Sequence, residues 1–180
     1  MAISEKFSQT STAVRRVNRA PAVLGIGWIV TWVILTGSTA TALGQSIAAP
    51  AQQSITHSGA DAPQAFAEVV WDLISGPDAA GYLTEWSCGP FVHSVNANLK
   101  ADSELTIRVL SSGGSANWTT IVPSDQTGYA AGKQTASVVL QSSSVGDGQA
   151  GLTVTFLNSD FSQLGAGDYA ITVAGTITAN

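Results

Sequence analysis

The chain has 180 residues, 18 of them glycine, with 7 Lys and Arg against 12 Asp and Glu, a net charge of −5. Residues 1–44 hold Lys6, Arg15, Arg16 and Arg19 against Glu5, a net of +3, and residues 45–180 hold Lys100, Arg108 and Lys133 against eleven acids, a net of −8. So acidic a remainder argues against a nucleic-acid partner, because neutralising phosphates takes clustered Lys and Arg.

The uneven charge separates a targeting segment from a mature domain. Residues 1–20 are polar and basic, Ala22 to Leu35 is an apolar run broken only by Thr31, and Thr36 to Gly44 is mostly small. This is the order of a secretory signal peptide, with a helical apolar core, over residues 1–44. Cleavage after Ala42 or after Gly44 satisfies the small-x-small rule and would leave Leu43 or Gln45 first. The alternative is an uncleaved anchor; the run is short for a membrane span, which needs about 20 apolar residues. Either way the domain is expected outside the cytoplasm, in periplasm, on the cell surface or secreted, and membrane contact is expected only through this segment.

Residues 45–63 are rich in Ala, Gln, Ser and Pro with no sustained period, and read as a flexible leader. His57 lies there with no second ligand residue nearby, so a solvated imidazole is expected. From 64 to 180 the chain reads as a single β domain. Gln64 to Leu73 is short for a helix and ends at Ser75-Gly76-Pro77-Asp78, so a strand is favoured. Tyr82 to Trp86 is a second strand, closed by Cys88-Gly89-Pro90. Phe91 to Leu99 places Phe91, His93, Val95 and Ala97 on one face, with His93 a hydrogen-bonded structural residue. Glu104 to Leu110 alternates cleanly, with Leu105, Ile107 and Val109 inward and Thr106 and Arg108 outward.

Trp118 to Val122 is a strand that stops at Pro123, Ser124 to Lys133 a polar connection, and Thr135 to Gln141 a strand. Ser142 to Gly151, centred on Gly146-Asp147-Gly148, is expected to be a hairpin-type connection. The last thirty residues hold the clearest pattern. Leu152, Val154 and Phe156 alternate with Thr153 and Thr155; Tyr169, Ile171, Val173 and Ile177 alternate with Thr and Ala. Seven or eight short strands set apart by Gly, Ser and Asp turns predict an all-β, antiparallel sandwich.

Few residues invite chemistry. Cys88 is the single cysteine and cannot form an intramolecular bridge; a thiol packed beside Trp86 and Phe91 is preferred to an intermolecular disulfide. The G-x-S-x-G elbow and the S-x-x-K arrangement are absent. Gly128 to Lys133 is one residue short of a phosphate loop and is followed by Gln134. Asp78, Asp102, Asp125, Asp147 and Asp160 sit mainly at turns, where Asp caps its own backbone. Asn117-Trp118-Thr119 has the form of a glycosylation sequon. Trp86, Trp118 and Tyr129 are candidates for stacking on sugars, with core packing the preferred role of each. No catalytic, cofactor-binding or metal-binding residue is assigned, and no enzymatic activity is expected.

Leu164-Gly165-Ala166-Gly167-Asp168-Tyr169-Ala170-Ile171-Thr172-Val173 resembles the closing strand of secreted bacterial sandwiches, the fimbrial-subunit and spore-coat-protein-U-like domains. Its L-x-x-G-x-Y portion also resembles the tyrosine corner of immunoglobulin-like domains. The resemblance covers Gly151 to Asn180, and the chain lacks the cysteine pair common near the N-terminal end of those domains. It implies an extracytoplasmic Ig-like or pilin-like sandwich with a structural or adhesive surface role, and partners that are copies of itself or other surface subunits. The alternative is a carbohydrate- or ligand-binding module, with a hydrolase placed last.

Overall fold

The computed structural model describes residues 27–34, 46–47, 52–56, 61–76, 80–157 and 160–180. In chain order the strands are β1 (Gly27–Ile34), β2 (Ser46–Ile47), β3 (Gln53–Thr56), β4 (Gln64–Ala65), β5 (Val69–Ile74), β6 (Tyr82–Cys88), β7 (Phe91–His93), β8 (Lys100–Ser112), β9 (Thr119–Val122), β10 (Ser124–Gln126), β11 (Ala136–Gln141), β12 (Gly148–Leu157) and β13 (Tyr169–Ala179). Two single 3-10 turns, Tyr129–Ala131 and Phe161–Gln163, are the helical elements among the described residues. The fold is all-β, as the Thr, Val and Ile content and the absence of long 3.6-residue periods require.

The strands form one curled sheet whose hydrogen-bonded path runs β2-β5-β12-β8-β7-β13-β6-β11-β9. All pairs are antiparallel except β1 with β13. The thirteen-residue β8 makes the bend: Lys100 and Ala101 pair with β7, and Asp102 to Ser112 pair with β12. The curl brings the inner faces together around one apolar core. Trp71 of β5 meets Trp86 of β6 edge-on at 5.9 Å, Phe66 stacks on Phe91 at 6.0 Å, and Phe91 meets Phe156 edge-on at 5.1 Å. Edge-on contacts at these separations are the favoured aromatic geometry and add to the burial of area.

The alternation written in the sequence is realised in β6, β8, β11, β12 and β13, whose inner residues are buried. Several expectations need correction. The run from Gln64 is two short strands joined by residues 66–68; Phe66, Val69, Trp71 and Leu73 are buried, and Val70 faces outward at 48% exposure. The strand from Phe91 ends at His93; a turn follows, and Val95 is 89% exposed rather than beside His93. The polar connection after Pro123 contains β10, which pairs with β8. Ser142 to Asp147 does not close a hairpin. It carries the chain from β11, which pairs with β6 and β9, to β12, which pairs with β5 and β8.

The N-terminal part departs further. Within the stretch read as a flexible leader, β2 pairs with β5 and β3 pairs with β1. Most of the expected signal helix lies outside the described residues; of its apolar run, Gly27–Ile34 is described and is the strand β1. Trp, Ile and Val residues broken only by Thr31 suit a strand with partners on both edges as well as an apolar helix, and periodicity alone does not separate the two.

Candidate functional site

The feature that invites interaction is the flank of the closing strand. β13 is fixed along one edge by β6, from Val173↔Cys88 to Ala179↔Tyr82, and by β7 at Tyr169↔His93 and Ala170↔Val92. Along its other edge, Tyr169 to Gly175 pairs in parallel with Trp28 to Ile34 of β1. The backbone groups that β13 presents along this seven-residue edge are therefore met by a segment that reads as a signal core.

The inner face of β13 is built from its alternation. Tyr169, Ile171, Val173 and Gly175 are buried, Thr172 is exposed, and Ala170, Ala174 and Thr176 are half-buried. Tyr169 packs edge-on against His93 at 4.9 Å and Phe156 at 6.2 Å, and its hydroxyl donates to the Gly165 carbonyl at 3.3 Å. Burial pushes the Tyr169 hydroxyl above its ordinary range. Gly175 sits in close approach: a Cβ there would stand 3.0 Å from Trp86 Nε1 and 3.3 Å from the Trp71 ring. Beneath it the Trp86 indole N–H is buried and finds no acceptor among the described residues. A buried donor without a partner is costly.

Cys88 faces the same core, opposite Val173, and is a free, buried thiol. Its Sγ lies 3.4 Å from Ser103 Oγ. Ser103 Oγ donates its own proton to the Gly89 carbonyl at 2.8 Å, so the thiol is the donor in the contact with Ser103. Burial pushes the thiol up to about 11, with Asp125 adding to the rise. Such a thiol is a poor nucleophile at neutral pH. His93 has every ring nitrogen engaged with backbone: Nδ1 accepts from the Val95 and Asn96 N–H groups, each at 3.1 Å, and Nε2 lies 3.2 Å from the Ala166 carbonyl. No contact joins Cys88 to His93.

The other sequence candidates do not converge. Trp86 and Trp118 are buried, the latter donating Nε1–H to the Gly146 carbonyl at 3.1 Å. Tyr129 is partly exposed beneath Lys100, whose ammonium lies 4.8 Å from the ring centroid. Asn117, at φ +46°, occupies an exposed turn before β9. Gly128 and Lys133 close a bridge around the first 3-10 turn, so that segment is a hairpin tip and holds no phosphate cradle.

The carboxylates are occupied locally. Asp102 accepts from Thr127 Oγ1 and the Tyr129 N–H, Asp147 from the Ser75 N–H, and Asp160 from Ser162. Asp125 accepts from Lys133, the Gln126 N–H and the Ser137 N–H. Burial raises the Asp125 carboxyl, but these donors outweigh it and hold the group below its ordinary value. Asp78 and His57 lie outside the described residues. Among the described residues no three His, Cys, Asp or Glu side chains group as metal ligands, and no helix is long and apolar enough to cross a membrane.

Comparison with protein-family models and with curated proteins finds no match. Sequence reading missed the pairing of β1 with β13, because strand partners far apart in sequence leave no local signal. It also missed the fit of Gly175 over Trp86; a glycine inside an alternating apolar strand is the signal that could have found it.

Proposed function

We propose that the chain is an exported structural or adhesion-type protein, a subunit of a cell-surface assembly, in which the β13 edge from Tyr169 to Gly175 receives a strand. The observation that carries this reading is that the segment now on that edge, Gly27–Ile34, belongs to the run that reads as an export signal. Cleavage at Ala42 or Gly44 takes β1 away and opens the β13 edge from Tyr169 to Gly175, where alternate residues point their backbone groups outward. An open edge of that length is a template for pairing with another chain. We read the curled sheet as an Ig-like or pilin-like sandwich, its two halves meeting through the aromatic contacts of Trp71 with Trp86 and Phe91 with Phe156. The Tyr169 hydroxyl, bonded to a carbonyl four residues upstream, supports this in the manner of a tyrosine corner. The burial of Trp86 and Trp118 removes two of the three stacking aromatics on which a sugar-binding reading would rest.

The test is to sequence the N-terminus of the exported protein and measure its mass in solution. A chain starting at Leu43 or Gln45 that self-associates, or that binds a second surface subunit, supports the proposal. A chain still starting at Met1 or Ala2, or a processed chain that stays monomeric and unpartnered at micromolar concentration, overturns it.

A further inference from the structure

Among the described strands, β3 pairs with β1 and with no other. Because β1 lies between β3 and β13, its residues carry two registers at once. Trp28 faces Tyr169 and Ile55, Ile29 faces Ala170 and Ser54, and Val30 faces Ile171 and Gln53. β1 is parallel to β13 and antiparallel to β3, so β3 runs antiparallel to β13. Residues in register across a sheet share a face. Ile55 accordingly leans, half-buried, on the core that buries Tyr169, while Ser54 is exposed. The present seat has a cost: Gln53 Oε1 is buried and finds no donor among the described residues. The leader is anchored on either side of β3. Ile47 is buried in β2, paired with β5, and Gln64 of β4 donates Nε2–H to the Thr56 carbonyl at 3.0 Å.

We propose that, once β1 is removed, β3 steps sideways by one strand and caps the Tyr169 end of the β13 edge in its own chain. The inference rests on the export reading above, in which cleavage takes β1 away. One strand spacing is about 4.8 Å. That is short against the reach of residues 48–52 and 57–63, which join β3 to β2 and β4 and span about 16 Å or more when extended. The step keeps the direction of the strand, the face of every side chain and the register. Ile55 arrives opposite Tyr169, Ser54 opposite Ala170, and Gln53 opposite Ile171. The new pair is antiparallel, the slightly more stable arrangement per residue. Cleavage leaves β3 and β13 with open edges that face each other, and one ladder satisfies both. The cap is short. β3 reaches Ile171 and leaves Thr172 to Gly175 open, so a strand from another chain can enter at the Gly175 end and displace β3 toward Tyr169. β3 thus regulates the edge: it blocks indiscriminate pairing and yields to a partner that matches all seven residues.

The test is a disulfide probe at the outward-facing pair, Ser54→Cys with Ala170→Cys, in a Cys88→Ala background that removes the one native thiol. With β1 in place the two positions are two strand spacings apart, about 9–10 Å, beyond the roughly 7 Å limit of Cα separation for a bridge. As cross-strand neighbours they would stand about 4.5–5.5 Å apart, within it. The full chain, made without export, should stay reduced under mild oxidation by glutathione disulfide. The exported, processed chain should form the bridge within one molecule, seen as monomeric migration without reductant and by intact mass. Should that variant fail to fold, amide exchange on the processed parent protein decides. Edge amides of Tyr169 to Ile171 should exchange severalfold more slowly than those of Thr172 to Gly175, and Ile55→Ser should remove the difference. A folded processed variant without the bridge, a bridge only between two molecules, a bridge formed as readily in the full chain, or edge amides that exchange alike would each overturn the cap and leave the export reading standing. An exported chain that still begins at Met1 or Ala2 would overturn both.

Discussion

β13 has two flanks of different kind. On one, β6 and β7 are antiparallel strands that alternate buried and less buried residues, and their register is fixed by which face meets the core. On the other, β1 is an apolar run, broken only by Thr31, in parallel register. Alternation tells a strand which way to face, and a slip of one residue would turn its apolar set to water. Uniform apolarity demands burial without naming a place, and the same residues suit a translocating signal. A conditional neighbour can therefore occupy one flank while the other stays fixed.

The largest effect separates the two faces of the strand both flanks share. Ile171→Ala removes a buried side chain and should cost about 2–5 kcal/mol, whereas Thr172→Ala, on an exposed side chain, should cost under about 1 kcal/mol. Denaturant melts decide it; equal losses would mean that the inner and outer faces of β13 are misassigned.

On the fixed flank, Cys88 sits opposite Val173. Its thiol is pushed up from 9.0 to about 11 in the folded protein, chiefly by burial. The unfolded thiol ionises first, so it binds fewer protons than the folded one across this window and stability falls as pH rises. The loss attributable to Cys88, measured against Cys88→Ala over the same pH range, should be about 3 kcal/mol. The native thiol should also resist alkylation at neutral pH. Rapid labelling, or a dimer band that vanishes on reduction, would contradict the buried placement.

The conditional flank is probed by Thr172→Lys, at the position in register with Thr31 of β1. A lysine on an edge strand discourages pairing. Association of the processed protein should weaken by severalfold in sedimentation while the melting curve hardly moves. An unchanged association constant would place the contact elsewhere.

What the sequence discloses follows the same division. The inner residues of β8, β12 and β13 were legible because each strand has one wet face and one dry face, and the burial of Cys88 was legible from its aromatic neighbours. Val95 misled because apolarity was read as inwardness; single exposed apolar residues are ordinary on protein surfaces. The path of the chain from β11 to β12 was not legible, since Gly146-Asp147-Gly148 makes a good turn whether the strands beside it pair or part. Of the candidate site, Tyr169, Ile171 and Val173 could be read directly. The edge partner could not, because backbone hydrogen bonding leaves no trace in side-chain pattern.

The smallest effect lies away from both flanks, on the outer face. Glu68 and Arg108 form a two-point ion pair at 2.6 and 2.8 Å, across β12. The hydrogen bond from Arg108 holds the Glu68 carboxyl below its ordinary value, against a small opposing effect of burial. A depressed carboxylate contributes stability above its unfolded value and loses it as pH falls through the folded one. Arg108 stands largely in water and Glu68 is partly exposed, so screening and the ordering of two long side chains offset most of the attraction. Arg108→Ala should therefore leave the neutral-pH melting temperature close to that of the parent. Any difference should shrink on acidification, when Glu68 is protonated, and again on raising salt to about 1 M. A salt-insensitive loss as large as that of Ile171→Ala would show that Arg108 supports the sheet through packing of its aliphatic stem, and that the outer face contributes to stability as the inner face does.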